Sequence, residues 1–251
     1  MRYEAQVVGR IKIDKTQFVA LDHIKLRSEN YSDRKLKKFS AHGCQFDGCY
    51  FNNVWIEDAS FGSGREMSEY VECVFDGAKF NRMGGGYARF VRCSFRGVEI
   101  NNWKCFEVEL IDCVFSGKLN VGIFNGTPRS EQQEFLKREH NEFHGNDFSG
   151  MELNDVAFRT GIDLTKQRLP SGTEYLYLPD ASTALRKARV ELENWQTTDE
   201  LRKTALSMLK TSENEVARGQ KQLLLRAKNY YGISGLPQKA VDKFFAALRS
   251  C

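Results

Sequence analysis

Seven cysteines and four histidines are the side chains of this 251-residue chain best suited to metal binding or nucleophilic chemistry. Cysteine thiolates ligate zinc. The cysteine spacing speaks against it. No Cys-x-x-Cys pair occurs, and Cys73, Cys93 and Cys113 stand twenty apart. Cys251, at the terminus, is the one expected to be exposed and reactive. His140 and His144 are four apart, with Glu139 and Glu142 beside them. On a continuous helix that spacing would turn both rings to one side. The segment is not HExxH, and a metal or enzymatic site in the 125–144 region is kept as the third functional reading. His23 and His42 have no recognisable partners in the sequence. The glycines of MGGGYARF precede no helix signal and no GK[ST], so they read as a loop or bulge at a corner rather than a phosphate cradle. The basic run Arg34–Lys38 has no interleaved aromatics and reads as a solvated face. No nucleophile, base and orienting group converge, so no enzymatic activity, cofactor or metal is expected.

The elements that must position these residues follow from a period. Phe46, Phe51, Ile56 and Phe61 are five apart. Tyr70, Phe75, Phe80, Gly85, Phe90, Phe95, Ile100, Cys105, Leu110 and Phe115 continue the step, and Phe143, Phe148, Leu153 and Phe158 resume it. Eleven of the 18 phenylalanines sit at these centres, so the aromatic excess belongs to the pattern. The residue two before each centre is mostly small or β-branched, as at Cys44, Cys49, Val54 and Ala59. Five fits neither the 3.6 of a helix nor the 2 of a strand. It fits a chain that turns a corner every five residues and points two side chains per side inward.

Four such sides make a coil of twenty, so residues twenty apart should stack. This predicts a structural ladder of Phe51, Phe75, Phe95, Phe115 and Phe148, with Cys49, Cys73, Cys93 and Cys113 beneath it. It treats GSGREMSEY as holding a four-residue insertion and 125–142 as an excursion. Gly77, Gly97 and Gly117 stack in the same way. Two centres, Gly85 and Cys105, are undersized, and the residues two before them, Met83 and Trp103, are oversized. Trading a large residue for a small one between neighbouring core positions conserves volume. These four form a face packed inside out, with Met83 and Trp103 buried.

The stretches CQFDG, ECVFDGAKFN, CSFRG, CVFSG and NDFSGMELND resemble the pentapeptide-repeat family over about 44–163. The position before the centre departs from that family, being often Val, Lys, Glu or Arg rather than Asp or Asn. The resemblance implies a mainly β fold, a right-handed quadrilateral β-helix of about five coils. Some relatives so implied are rods that resemble duplex DNA, bind type II topoisomerases and protect them from poisons.

Outside the coils, 1–43 is read as an N-terminal cap with VVGRIKI as a strand. Residues 164–251 are read as a linker followed by a C-terminal α-helical region. Its helices are expected over about 182–195, from a capping box at Thr197 and Glu200, and over about 237–249. Pro128 and Ser130 introduce a short helix within the excursion. The helical end caps the last coil, forms a homodimer, or presents a partner surface. No apolar run is long enough to span a bilayer, and MRYEAQVVGRIKIDK lacks a signal-peptide core. A cytoplasmic protein with reduced cysteines and no membrane partner is therefore expected.

The net charge of +4 hides a cancellation. Residues 1–43 carry 10 basic and 5 acidic side chains, 44–163 carry 12 and 19, and 164–251 carry 15 and 9. An acidic rod lies between basic ends. The favoured function is a non-catalytic scaffold that binds another macromolecule, a protein partner of unknown identity. The alternative is a DNA mimic acting on a type II topoisomerase, which predicts a continuous acidic stripe.

Overall fold

The computed structural model describes residues 10–14, 17–84, 86–231 and 233–250, with 10–14 as backbone only. The chain is mainly β and winds as a parallel solenoid, followed by a helical region; the coils expected over 44–163, about five, are preceded by further rungs. One stack runs through the strands Phe18–Asp22, Lys35–His42, Trp55–Ser60, Lys79–Gly84, Ser94–Ile100, Val114–Leu119 and Asp147–Leu153. A second runs through Lys25–Arg27, Gln45–Asp47, Ser68–Val71, Ala88–Val91, Glu109–Ile111 and Phe143–His144. Partners are twenty residues apart at Leu26–Phe46, Tyr70–Phe90 and Phe90–Leu110. The step lengthens at Phe46–Tyr70 and again at Leu110–Phe143, where the insertion and the excursion leave the coil.

The coil starts earlier than residue 44. Phe18–Asp22 and Lys35–His42 are already parallel rungs in twenty-residue register. Leu21, Tyr31, Leu36 and Ala41 are buried inward residues on the same five-residue step. The step is masked there because Glu29 and Arg34 occupy positions that hold small residues further on. What caps this end is the strand Arg10–Asp14, antiparallel to the first rung. A second departure follows Phe115. A bulge beside Gly117 removes one residue from the register, and Leu119 and Phe124 become the inward residues.

The interior is a column of rings. Centroids are 4.7 Å apart for Phe51–Phe75, 4.5 Å for Phe75–Phe95, 4.9 Å for Phe95–Phe115 and 4.6 Å for Phe115–Phe148. Tyr31 stacks on Phe51 at 4.9 Å and adds a rung below. These distances equal the spacing of hydrogen-bonded strands, so identical side chains on successive coils stack without adjustment. Met83 and Trp103 are register partners and both are buried, Trp103 with 1% of its surface exposed. Its indole lies 6.0 Å from Phe95 and 5.3 Å from Phe124, in the middle of the coil. Cys105 beside it is buried, and Gly85 lies outside the described residues.

The last coil is closed by side chains. Buried Gln220 accepts from the N–H groups of Gly161 and Ile162 and donates to the Ile162 carbonyl. Gln222 accepts from the Leu164 N–H, and the Tyr175 hydroxyl accepts from that of Leu153. An open solenoid end would leave these groups unpaired. Beyond it lie an antiparallel pair, Tyr175–Leu178 with Leu223–Arg226, and three of the four α-helices among the described residues. The four are α1 (Ser130–Leu136, in the excursion), α2 (Ala181–Glu193), α3 (Asp199–Ala217) and α4 (Gln238–Arg249). The apolar stripes of α2, α3 and α4 meet in a second core around Leu185, Leu192, Leu209, Phe244 and Leu248. Thr198 rather than Thr197 caps α3, its hydroxyl accepting from the Leu201 N–H. Among the described residues no helix is long and apolar enough to cross a membrane.

Candidate functional site

The cysteines of the ladder are interior residues. The thiol of Cys73 donates to the Phe46 carbonyl at 3.6 Å, Cys93 to Tyr70 at 3.3 Å and Cys113 to Phe90 at 3.5 Å. Each thiol thus reaches the backbone of the coil below. Burial pushes the thiols of Cys44, Cys93 and Cys105 above their ordinary range, which keeps them protonated and poorly nucleophilic. The six described cysteines are free; Cys251 lies outside the described residues.

The irregular parts of the chain gather along one corner of the solenoid. Successive coils pass this corner at His23, Gly43, the 62–66 insertion, Gly86–Tyr87, Phe106–Glu107 and Gly126–Asn141. Two glycines of this corner are required by contact. A Cβ on Gly62 would stand 2.2 Å from the Tyr87 backbone, and one on Gly86 would stand 2.0 Å from the Gly62 carbonyl. Gly86 of MGGGY, together with Gly62, therefore lets one coil cross close over the next. Gly64 and Glu66 project from the insertion, and Arg65 lies over the Phe135 ring of α1 at 5.9 Å. Phe135 packs on Tyr87 at 5.7 Å, and the Tyr87 hydroxyl donates to Gln132.

The excursion is tied down by buried charge. Glu107 and Glu109 are almost fully buried. Arg129 grips the Glu107 carboxylate through Nε at 2.6 Å and a second nitrogen at 3.1 Å. Glu109 receives Arg138 at 2.8 Å and Arg89 at 3.0 Å. The Glu107 pair raises the Arg129 guanidinium above its ordinary value, while burial lowers that of Arg138 against the pull of Glu109. Removing one partner of such a pair would leave the other charged and buried. α1 is therefore held against the rod, with Phe135 still 43% exposed on its outer side.

His140 and His144 are not on one helix. α1 ends at Leu136, with Lys137 in the left-handed region, and His144 belongs to a strand. Both rings line a cavity of about 200 Å³ with Asp163 and Lys166, and the Glu142 carboxylate is engaged by Arg89. On Lys35–His42, Lys35, Lys37 and Lys38 point outward around buried Leu36, and Lys35 lies over the Trp55 ring at 4.9 Å.

The ionisable cluster that sequence reasoning missed lies on the first two coils of the same corner. Asp22 and His42 end paired strands and are register partners. Asp22 Oδ1 is 2.8 Å from His23 Nδ1 and 2.9 Å from His42 Nδ1. Glu66 Oε2 is 3.0 Å from His23 Nε2. The two rings are 4.7 Å apart at 69°. Burial works to raise the Asp22 carboxyl, but hydrogen bonds from His42 and His23 outweigh it and hold it low. The Glu66 carboxylate, aided by Asp22, raises the His23 imidazole. Among the described residues this is where three or more potential metal ligands converge. The available signal was the twenty-residue step from Asp22 to His42 and from His23 to Gly43. It becomes readable once the coil is known to begin before residue 44.

Compared with known families and curated proteins, the chain matches no family profile and no curated sequence.

Proposed function

We propose that this protein is a non-catalytic solenoid scaffold, of the kind the pentapeptide-repeat resemblance implies, that presents its elaborated corner to another protein. The observation that carries the reading is the confinement of both coil-lengthening segments, 62–66 and 126–142, to one corner, where they touch through Arg65 and Phe135. Loops set on a rigid scaffold are where solenoids and barrels place recognition. Arg10–Asp14 pairs with the first rung of one stack and Gln220 satisfies backbone groups of the last coil, so these ends are engaged within the chain and the corner is free to be presented. The apolar stripes of the C-terminal helices face each other, which favours capping over homodimerisation through them.

The DNA-mimic reading is the weaker one. Outward charges alternate in sign from rung to rung, as in Arg27–Asp47 at 3.2 Å, Glu72–Arg92 at 3.0 Å and Lys79–Glu99 at 3.7 Å. A mimic of duplex DNA needs an uninterrupted row of negative charge.

The test is site-directed photo-crosslinking in cells, with the probe at Phe135 or Arg65 on the corner and at Lys118 on a distant face. The reading expects a discrete protein adduct from the corner probes and none from Lys118. Equal labelling from all three positions, or an adduct from Lys118 alone, would sink it.

A further inference from the structure

The Asp22–His23–His42–Glu66 cluster is a built arrangement rather than a chance meeting of surface side chains. Backbone pairing sets it. The His23 N–H donates to the His42 carbonyl at 2.8 Å, so the corners of the first two coils are locked together. His23 itself adopts a left-handed φ of 52°. Two glycines make room for the rings. A Cβ on Gly43 would stand 2.9 Å from His23 Cδ2, and one on Gly64 would stand 2.5 Å from His42 Cδ2. The insertion that lengthens this coil carries both Gly64 and Glu66.

We propose that Asp22 Oδ1, His23 Nδ1 and His42 Nδ1 bind a divalent transition metal, zinc foremost, with Glu66 orienting His23. Two imidazoles and a carboxylate are ligands zinc accepts, and three protein ligands leave a fourth position for water or a partner's side chain. Tetrahedral ligands at about 2.0–2.1 Å from zinc stand roughly 3.3 Å apart. The present 2.8 and 2.9 Å contacts would open by about half an ångström when the ion binds. The second contact of His23 has the form that metal-bound histidines use. Its Nε2–H donates to a carboxylate, which leaves Nδ1 as the nitrogen that binds the ion once the metal displaces the proton Nδ1 shares with Asp22. His42 Nε2 is buried and hydrogen-bonds to none of the described residues, so the pose of that ring is held through Nδ1 and Gly64 rather than by a partner of its own. The ion would join the first coil, the second coil and the insertion at one point. The site stands or falls separately from the proposed protein-binding role of the corner.

The test is isothermal titration of the untagged chain with zinc in a weakly coordinating buffer. It expects one ion per chain with a Kd of about micromolar or tighter. His23→Ala and His42→Ala should abolish binding, with the circular dichroism of the metal-free chain unchanged. Glu66→Gln should weaken it roughly 10- to 100-fold. His144→Ala should leave it unaltered, which separates this site from the excursion. On the wild-type chain, cobalt(II) should show the strong visible absorption of a four-coordinate nitrogen–oxygen site. No saturable binding, binding that survives His42→Ala, binding lost in His144→Ala, or a cobalt spectrum like the hydrated ion would each overturn the assignment.

Discussion

At the scale of the residue, the interior is governed by volume at fixed spacing. Phe75, Phe95 and Phe115 stack because each coil returns the same position to the same place, one strand spacing higher. Trp103 and Cys105 exchange the usual large and small roles within one coil, and the buried indole fills the centre that Cys105 leaves open. This predicts a specific coupling. Trp103→Ala alone should cost about 3–5 kcal/mol, from lost burial and the cavity it creates. Adding Cys105→Phe, which restores the ordinary arrangement, should recover about 1 kcal/mol or more, because neighbouring core positions are not additive. Urea denaturation of both single variants and the double variant measures it. If the double variant is no more stable than the two single losses summed, the two positions do not compensate for each other.

At the scale of the element, what was legible in the sequence depended on repetition. The ladder from Phe51 to Phe148 and the burial of Trp103 could be read because large residues recur every five and every twenty positions. The first rungs were harder, because Leu21, Tyr31, Leu36 and Ala41 keep the step without phenylalanine or cysteine to announce it. The metal-ligand cluster was lost with them, since Asp22 and His42 are neighbours only once those rungs are coils. The closing of the far end was also out of reach, because it rests on single side chains from a segment with no repeat. Gln220 is the clearest case, 58 and 59 positions along the chain from the groups it satisfies. Gln220→Ala should leave the Ile162 N–H and carbonyl buried without partners, and the part-buried Gly161 N–H without its acceptor. Each such group costs about 1–3 kcal/mol. Hydrogen exchange followed by mass spectrometry should show the amides of 161 and 162 opening many-fold faster, while amides around Phe95 keep their protection. Unchanged exchange at 161 and 162 would mean that the helical region, and not this side chain, closes the coil.

At the scale of the whole molecule, two cores meet at a charged seam. The coil column and the helical region each have a continuous apolar interior, and between them lies Arg226, whose side chain is 3% exposed. It holds Glu152 of the last full rung at 2.9 Å and Glu174 at 3.0 Å. Lys118 stands 3.8 Å from the same Glu152 carboxylate. The hydrogen bond from Arg226 is the chief reason that the Glu152 carboxyl titrates below its ordinary value. A carboxyl whose pKa is depressed by folding contributes stability in full above its unfolded value, near 4.5, and loses it as the pH falls through the folded value. The exposed pairs along the rod contribute little in either direction, since such bridges are typically worth between zero and about 1 kcal/mol. Mild acid should therefore weaken the seam before it unwinds the apolar column. Below about pH 4, limited pepsin digestion should first cut between 164 and 180 and release the helical region, with the 44–158 column still protected. Glu152→Gln should shift that release toward neutral pH, because the acid-sensitive contact is already gone. Simultaneous digestion of column and helices, or a release profile that Glu152→Gln does not move, would place the acid-sensitive joint elsewhere in the molecule.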